Sequence, residues 1–272
     1  MKLAGLIALS TGLLAACGSD TTAPPAGSPD APAMTMVTNV TTSPTADTTW
    51  TGTIRVQNSI TIPTGVTVTV AAGSTLQVAG TASINIAGTL AIAGTKAQKV
   101  TIEGLATDDW AGLAIPSGGA FTMTYGVYTG GNINVAQNGS FTVTDSELSR
   151  VSSGTDLLTT SGGTIDLEYS WLGQPMGQSD TTHCDMHFEG GSPTLTITHS
   201  NVSTAVYGVM FYSGVNANFT YNNWFSNGTQ VDLTAAVTGD FSNGWFDKSP
   251  PSGTGITAND LASAMITDAG PR

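Results

Sequence analysis

Short runs of alternating apolar and polar residues fill most of the chain after Trp50, and glycines separate them. The run 66–70 alternates Val with Thr, and the runs 84–86 and 90–92 continue the pattern with Ile, Leu, Asn and Ala. Alternation with a period of two, rich in β-branched residues and bounded by glycine, is typical of short β-strands. Only 259–266 predicts a helix, a short one suited to closing the last strands, with a frayed tail as the alternative.

The runs also recur at a longer interval, which defines three ladders of equivalent positions. The first ladder starts at Phe121, Phe141, Ile165, Leu195 and Phe219; the second at Leu113, Ile133, Leu157, Met186, Val209 and Val231; the third contains Tyr128, Leu148, Leu172, Val202 and Phe225. One such coil cannot bury its apolar side alone, but stacked coils can. The sequence therefore predicts an all-β fold, a right-handed parallel β-helix of roughly nine or ten coils over 49–253, with a β-sandwich as the alternative.

The segments 49–52, 60–70 and 109–113 combine these strands with Gly and Trp in a distinctive order. They resemble the opening coils of secreted bacterial right-handed β-helix repeat proteins, which have the pectate-lyase-like superfold. The similarity is a pattern that extends over roughly 49–248. It implies the architecture and leaves the function open, because this fold hosts lyases, hydrolases, adhesins and structural proteins.

The start of the chain has the organisation of an export signal. Lys2 precedes an apolar run, 3–14, which is too short to span a bilayer and leads through two alanines to Cys17. This ending resembles the bacterial lipobox, which implies a signal peptide over 1–16 and a lipid anchor on Cys17, with an ordinary signal peptide as the alternative. The membrane is then a partner through the lipid, and Gly18 in place of Asp favours the outer membrane.

Composition divides the rest of the chain and excludes some partners. The Pro-rich segment 24–32 indicates a tether over 17–48, and 254–272 is predicted as a C-terminal cap or tail. Charged residues make up 10% of the chain and the net charge is −12, which disfavours binding to nucleic acid. Of the two cysteines one is Cys17, so no disulfide framework is expected.

The stretch 183–187 contains two histidines, a cysteine and an aspartate. If Met186 faces the core, strand alternation places His183, Asp185 and His187 together on the outer face. Two imidazoles and a carboxylate can bind Zn²⁺ or another divalent metal, and the alternative is a polar surface strand. Zn²⁺ and Ca²⁺ are the candidate cofactors, although no feature of the sequence requires one.

Four carboxylates form a second candidate site, with Asp145 and Glu147 in one coil and Asp166 and Glu168 in the next. Paired carboxylates can act as acid and base on a glycosidic bond, which predicts a polysaccharide hydrolase as one possible activity. Solvated surface charge is the alternative. A lyase is less favoured, because lyases of this fold use basic residues and only Arg150 lies near the four carboxylates.

Aromatic and amide side chains of the last coils suggest a third site. Trp171 and Trp224 precede predicted inward residues, so both are expected to point outward, where an indole ring can stack on a sugar. Asn201, Asn222 and Asn223 are candidate hydrogen-bond donors to the same ligand.

These features predict a non-catalytic, envelope-anchored surface or matrix protein that binds a polysaccharide or a surface protein. The first alternative is an enzyme, a polysaccharide hydrolase or lyase that uses the four carboxylates. The second alternative is a metal-binding module at 183–187.

Overall fold

A computed structural model describes residues 37–106, 109–149, 154–175, 182–212, 215–235 and 237–272. They lie in one compact unit, Thr35–Arg272. The predicted signal peptide, Cys17, the Pro-rich segment and Arg150 are outside the described residues. Within the described ranges, no helix has the length and apolar character needed to cross a membrane.

The described strands form three parallel sheets, here called A, B and C, and each coil adds strands to B, A and C in turn. Sheet A contains Val37–Val40 (β1), Thr53–Val56 (β3), Thr75–Val78 (β6), Val100–Gly104 (β9), Gly126–Thr129 (β12), Glu147–Ser149 (β15), Trp171–Gly173 (β18), Asn201–Ser203 (β21), Asn223–Phe225 (β24) and Trp245–Phe246 (β27). Sheet B contains Thr48–Trp50 (β2), Thr67–Ala71 (β5), Thr89–Ala93 (β8), Ala120–Thr124 (β11), Ser140–Thr144 (β14), Thr164–Glu168 (β17), Thr194–Thr198 (β20), Asn216–Asn218 (β23), Thr238–Asp240 (β26) and Ile256–Thr257 (β28). Sheet C contains Ile60–Ile62 (β4), Ser83–Ile86 (β7), Gly112–Ile115 (β10), Ile133–Val135 (β13), Leu158–Thr160 (β16), Cys184–Phe188 (β19), Tyr207–Phe211 (β22) and Thr229–Leu233 (β25).

Strand pairing confirms the predicted parallel β-solenoid, and the β-sandwich alternative is wrong. Within each sheet a strand pairs in parallel with its counterpart from the adjacent coil. Sheet C has eight strands, so eight coils contribute to all three sheets. The handedness of the coil stays a prediction.

Inward-facing residues form ladders that fill the interior. Leu90, Phe121, Phe141 and Ile165 are successive partners in sheet B, and all four are fully buried. The rings of Phe121 and Phe141 stack at 5.1 Å between centroids. Burying a large apolar side chain of this kind contributes about 1.5–3 kcal/mol, so the ladders are the main source of stability.

Three ladder positions differ from the predicted ones. The register places Leu158, Ala217 and Trp224 where the sequence pattern predicted Leu157, Phe219 and Phe225. In each case another apolar residue lies one or two positions away, so alternation alone fits more than one register.

A column of residues with positive φ follows the corner between sheets B and A, one residue to a coil. This corner column consists of Tyr125, Asp145, Tyr169, His199 and Tyr221, with φ between 48° and 62°. The left-handed conformation is costly for residues with a Cβ. Stacking offsets part of that cost, because the His199 ring lies between the rings of Tyr169 and Tyr221, with both centroid distances 4.8 Å.

Residues 259–272, here called the C-terminal strap, lie along the outside of the solenoid. The Ile266 N–H donates to the Asn223 side chain, and the Gly270 N–H donates to the carbonyl of His199, one coil earlier. The predicted helix within this segment is wrong, and no helix occurs among the described residues. Backbone donors of the strap bond to the solenoid, so they are unavailable for helical hydrogen bonds.

The solenoid also starts earlier than predicted. Strand β1 lies within the predicted tether, 17–48, and pairs in parallel with β3. Strand β2 pairs with β5 in sheet B. These two strands cover the first coil, which would otherwise present unpaired strand edges.

Candidate functional site

Four side chains from two stacked coils converge beside sheet C: Asp156, His183, Cys184 and His187, here called the Asp156 cluster. Asp156 lies shortly before β16, His183 immediately precedes β19, and Cys184 and His187 lie within β19. Because β16 and β19 pair in parallel, Asp156 is placed against residues of the next coil.

One carboxylate in this cluster contacts two imidazoles. Asp156 Oδ1 is 3.0 Å from His183 Nδ1, and Asp156 Oδ2 is 2.5 Å from His187 Nδ1. The backbone N–H of Cys184 donates to Asp156 Oδ1 at 3.1 Å, and Cys184 Sγ is 3.3 Å from His183 Nδ1. In this arrangement a neutral imidazole donates from Nδ1 and keeps Nε2 as an acceptor.

The cluster changes the acidity of its own members. Burial raises the pKa of Asp156, but hydrogen bonds from His187, His183 and Cys184 outweigh it, so the pKa lies below its ordinary value. Burial, together with the hydrogen bond and negative charge of Asp156, raises the pKa of the Cys184 thiol well above its ordinary value. At neutral pH the carboxylate is therefore ionised and the thiol keeps its proton.

The surroundings of the cluster are partly aromatic. The ring of Tyr207 meets His183 edge-on at 5.2 Å, and the ring of Tyr212 lies 4.9 Å from that of His187. The His187 side chain is 11% exposed, and its Nε2 lies 3.7 Å from Glu189 Oε1. The histidines are thus held between a shared carboxylate on one side and aromatic rings on the other.

The cluster keeps His183 and His187 of the predicted metal set, lacks Asp185, and adds Asp156 and Cys184. Asp185, which was expected on the outer face with the two histidines, is fully buried. Alternation predicts the side of the strand on which Asp185 lies, but it does not determine how much of the side chain is exposed. Asp156 takes the expected place of the carboxylate, although it precedes His183 by 27 residues. Cys184 is a buried free thiol.

The four candidate catalytic carboxylates are not equivalent in the structure. Asp145 is buried in the corner column, and Glu147 in sheet A forms an ion pair with Lys99 at 2.7 Å. Asp166 and Glu168 are exposed on the outer face of sheet B. The acid and base roles proposed for Asp145 and Glu147 therefore compete with existing ion pairs, and the catalytic assignment stays a prediction.

Asp145 is bound by Arg272 of the C-terminal strap. Arg272 Nε and Nη2 donate to the two carboxylate oxygens at 2.9 and 3.1 Å, and the guanidinium lies 3.5 Å from the centroid of the Tyr169 ring. Burial raises the pKa of Asp145, but the hydrogen bonds and charge of Arg272 lower it by more, so the net pKa is reduced. This ion pair therefore fixes the end of the C-terminal strap to the solenoid.

We expect Asp145→Asn to lower the melting temperature of the full chain by several degrees at neutral pH, because Arg272 loses its anionic partner. The folded-state pKa of Asp145 is lowered, so its stabilising contribution is present above the unfolded-state pKa of about 3.9 and is lost as the pH falls through the folded-state value. The difference between wild type and variant should therefore shrink as the pH falls below about 3.9. Thermal unfolding followed by circular dichroism measures it. The control, Asp166→Asn, alters an exposed carboxylate, and a pH-independent difference for Asp145→Asn would contradict the assignment.

The predicted aromatic and amide site is largely buried. Trp224 is fully buried and pairs with Val202 in the inward ladder, so the expectation that it points outward is wrong. Asn201, Asn222 and Asn223 are also buried. Asn222 donates to backbone carbonyls inside the corner, whereas the other two asparagines hold the C-terminal strap.

Trp171 alone of the predicted set keeps partial exposure. Its Nε1 donates to Ser203 Oγ at 2.8 Å, and its ring meets the edge of Phe225. A tryptophan fixed in this way can present one face to a ligand, but the buried asparagines cannot bind it at the same time.

The outer face of sheet B is a candidate binding surface that single-residue motifs did not reveal. Over strands β5, β8, β11 and β14 it presents the in-register residues Thr67, Thr69, Ala71, Thr89, Ala91, Ala93, Ala120, Thr122, Thr124, Ser140, Thr142 and Thr144, here called the threonine face. Each of these residues is half-buried or exposed, and none is charged. In the next coil the face ends at Asp166 and Glu168.

Comparison with known protein families, curated proteins and solved structures finds no match to this chain. The fold and the geometry of its surfaces therefore define the class, an all-β parallel solenoid. Because this class hosts many unrelated functions, function has to be argued from the sites.

Proposed function

We propose that this chain is a lipid-anchored β-solenoid of the bacterial envelope that binds a neutral polysaccharide through the threonine face without cleaving it. The proposal includes export by the signal peptide at 1–16, lipidation of Cys17 and location at the outer membrane. It also includes membership of the right-handed β-helix repeat proteins that the opening coils resemble.

The observation that supports polysaccharide binding most directly is the regular order of the threonine face. Successive coils repeat at about 4.8 Å, and alternate residues of one strand lie about 6.7 Å apart, so the eight Thr and Ser hydroxyls of the face lie at fixed spacings, with four alanines between them. Thr has a restricted χ1 angle, and the buried ladder under the face holds each strand in place. A rigid array of hydroxyls can hydrogen bond to a hydroxyl-rich polymer at a small cost in conformational entropy.

Charge determines which polymer is favoured. The threonine face carries no charge, and the whole chain has a net charge of −12. A polyanion would be repelled by the chain, whereas a neutral glycan would not. The ion pairs of Asp145 and Glu147 further favour binding over catalysis, because those carboxylates already have cationic partners.

Ice is a second candidate ligand for the same face. The face repeats at about 4.8 and 6.7 Å and mixes methyl with hydroxyl groups, which can order a layer of water. The absence of charged side chains among the twelve described residues of the face is consistent with either ligand.

The test is a depletion assay with the purified full chain on cellulose, chitin, pectate and polycrystalline ice, with soluble sugar products measured in the same tubes. We expect retention on a neutral polysaccharide, no products and no retention on pectate. Thr122→Tyr places a bulky ring at the centre of the face and should weaken retention about tenfold, equivalent to about 1.4 kcal/mol. Thr101→Tyr, on the outer face of sheet A, is the matched control.

Release of sugar products would overturn the non-catalytic proposal and return attention to Asp166 and Glu168. Retention on ice alone would assign the second candidate. Equal losses in Thr122→Tyr and Thr101→Tyr would remove the threonine face as the binding surface.

A further inference from the structure

The Asp156 cluster offers a donor set that is independent of the threonine face. It combines two imidazole nitrogens, two carboxylate oxygens and one sulfur from two neighbouring coils. The ligand atoms of Asp156, His183 and Cys184 all lie within 4.8 Å of one another, and His187 contacts the second oxygen of the same aspartate. Nitrogen, oxygen and sulfur ligands together are typical of Zn²⁺ and related transition metals, whereas Ca²⁺ prefers oxygen alone.

The spacing within the cluster suits a tetrahedral ion. Zinc binds nitrogen, oxygen and sulfur at about 2.0–2.3 Å, which places neighbouring ligand atoms about 3.3–3.7 Å apart. The separation from His183 Nδ1 is 3.0 Å to Asp156 Oδ1 and 3.3 Å to Cys184 Sγ. Asp156, His183 and Cys184 already lie within reach of one common centre, and His187, which contacts the second oxygen of Asp156, would have to turn towards that centre.

The groups around the cluster can support bound ligands. When Nδ1 of His187 binds a metal, its proton resides on Nε2, and Glu189 Oε1 at 3.7 Å is placed to attract it. Carboxylates commonly orient metal-bound histidines in this way. His187 Nε2 is buried and has no hydrogen-bond partner among the described residues. Once it carries the proton, it can therefore donate to Glu189 without losing another hydrogen bond.

We propose that Asp156, His183, Cys184 and His187 bind one transition-metal ion, with Zn²⁺ as the natural occupant. Four protein ligands complete a tetrahedral shell, which is typical of a structural rather than a catalytic site. The ion would connect the coil of β16 to the coil of β19 on the sheet C side of the solenoid. Its role is to hold these two coils together.

The test uses Co²⁺ as a spectroscopic substitute in the purified full chain, after removal of metals with a chelator. We expect one Co²⁺ per chain, the intense visible bands of tetrahedral cobalt, and a near-ultraviolet charge-transfer band from Cys184, whose thiol releases its proton to solvent when the ion binds. Added Zn²⁺ should abolish these signals and raise the melting temperature of the chain. Cobalt binding that shows only weak octahedral bands would overturn the proposal, because surface carboxylates alone would produce them.

Single substitutions test whether the ion is bound by the four proposed ligands or by other carboxylates of the chain. Cys184→Ser should lose the charge-transfer band, and Asp156→Asn should lower the affinity for Co²⁺ at least about 100-fold. Asp166→Asn, an exposed aspartate in sheet B, should bind Co²⁺ like the wild type. Circular dichroism of each metal-free variant checks that the strands form.

Full binding in Asp156→Asn with an unchanged spectrum would overturn the site. If Asp156→Asn fails to fold, His183→Gln, which alters a 39% exposed side chain, provides the same comparison. Polysaccharide retention is measured on the same variants, so loss of the metal and loss of the threonine face give different results.

Discussion

Trp224→Ala is expected to lower the free energy of unfolding by about 3–5 kcal/mol, the usual cost of removing a fully buried aromatic side chain. Trp224 has no exposed surface, and its ring stacks on Phe246 and meets the rings of Phe219 and Phe241. Truncation would leave a cavity that the strands, held on both sides by parallel pairs, cannot close. Urea unfolding of the full chain, followed by circular dichroism, measures the effect.

Trp224→Phe is the matched control for this prediction. Phe retains most of the apolar contact, and the indole Nε1 that it removes is buried without a hydrogen-bond partner among the described residues. The expected cost is therefore below about 1.5 kcal/mol. A cost below about 1 kcal/mol for Trp224→Ala would mean that this side chain lies outside the core, as the sequence pattern alone predicts.

Gly119→Ala is expected to destabilise the chain by about 3 kcal/mol or more, because the added methyl group would collide with backbone. A Cβ at this position would lie 1.9 Å from the carbonyl oxygen of Ile86, in the preceding coil. Neither atom belongs to a flexible side chain, so the two coils would have to separate locally. Differential scanning calorimetry of the full chain is the appropriate measurement.

The adjacent Gly118 provides the control. Its φ is 82°, but an added Cβ would have no atom within 4 Å. Gly118→Ala should therefore cost only the strain of the left-handed conformation, about 1–2 kcal/mol. Similar losses at both positions would show that the coils do not approach as closely as described.

The coil repeat can be predicted from sequence because every coil must bury the same face of its strands. Leu113, Ile133 and Met186 occupy equivalent sheet C positions, as their pattern predicts. The local register is less certain where two apolar residues are adjacent. Both Trp224 and Phe225 fit an inward position, and only the pairing of Trp224 with Val202 decides between them.

Residue clusters that span coils are harder to predict. Asp156 meets His183 and His187 because the insertion between their coils still returns the chain to the same sheet. The alternation pattern describes one strand at a time. It therefore predicted Asp185, which lies in the same strand as His187, as the carboxylate of the metal site and gave no indication of Asp156. The contact between Asp145 and Arg272 spans 127 residues and depends on backbone hydrogen bonds of the strap, for which side-chain patterns give no signal.

In a solenoid each coil contacts only its neighbours, so unfolding can begin at an end and advance one coil at a time. The C-terminal strap changes this behaviour at one end. It bonds to Gly244, to Asn223 and His199 in earlier coils, and finally to Asp145. The last coil therefore cannot separate from the solenoid while Arg272 is bound to Asp145. We therefore expect the coils under the strap to open as one cooperative block, after Arg272 has released Asp145.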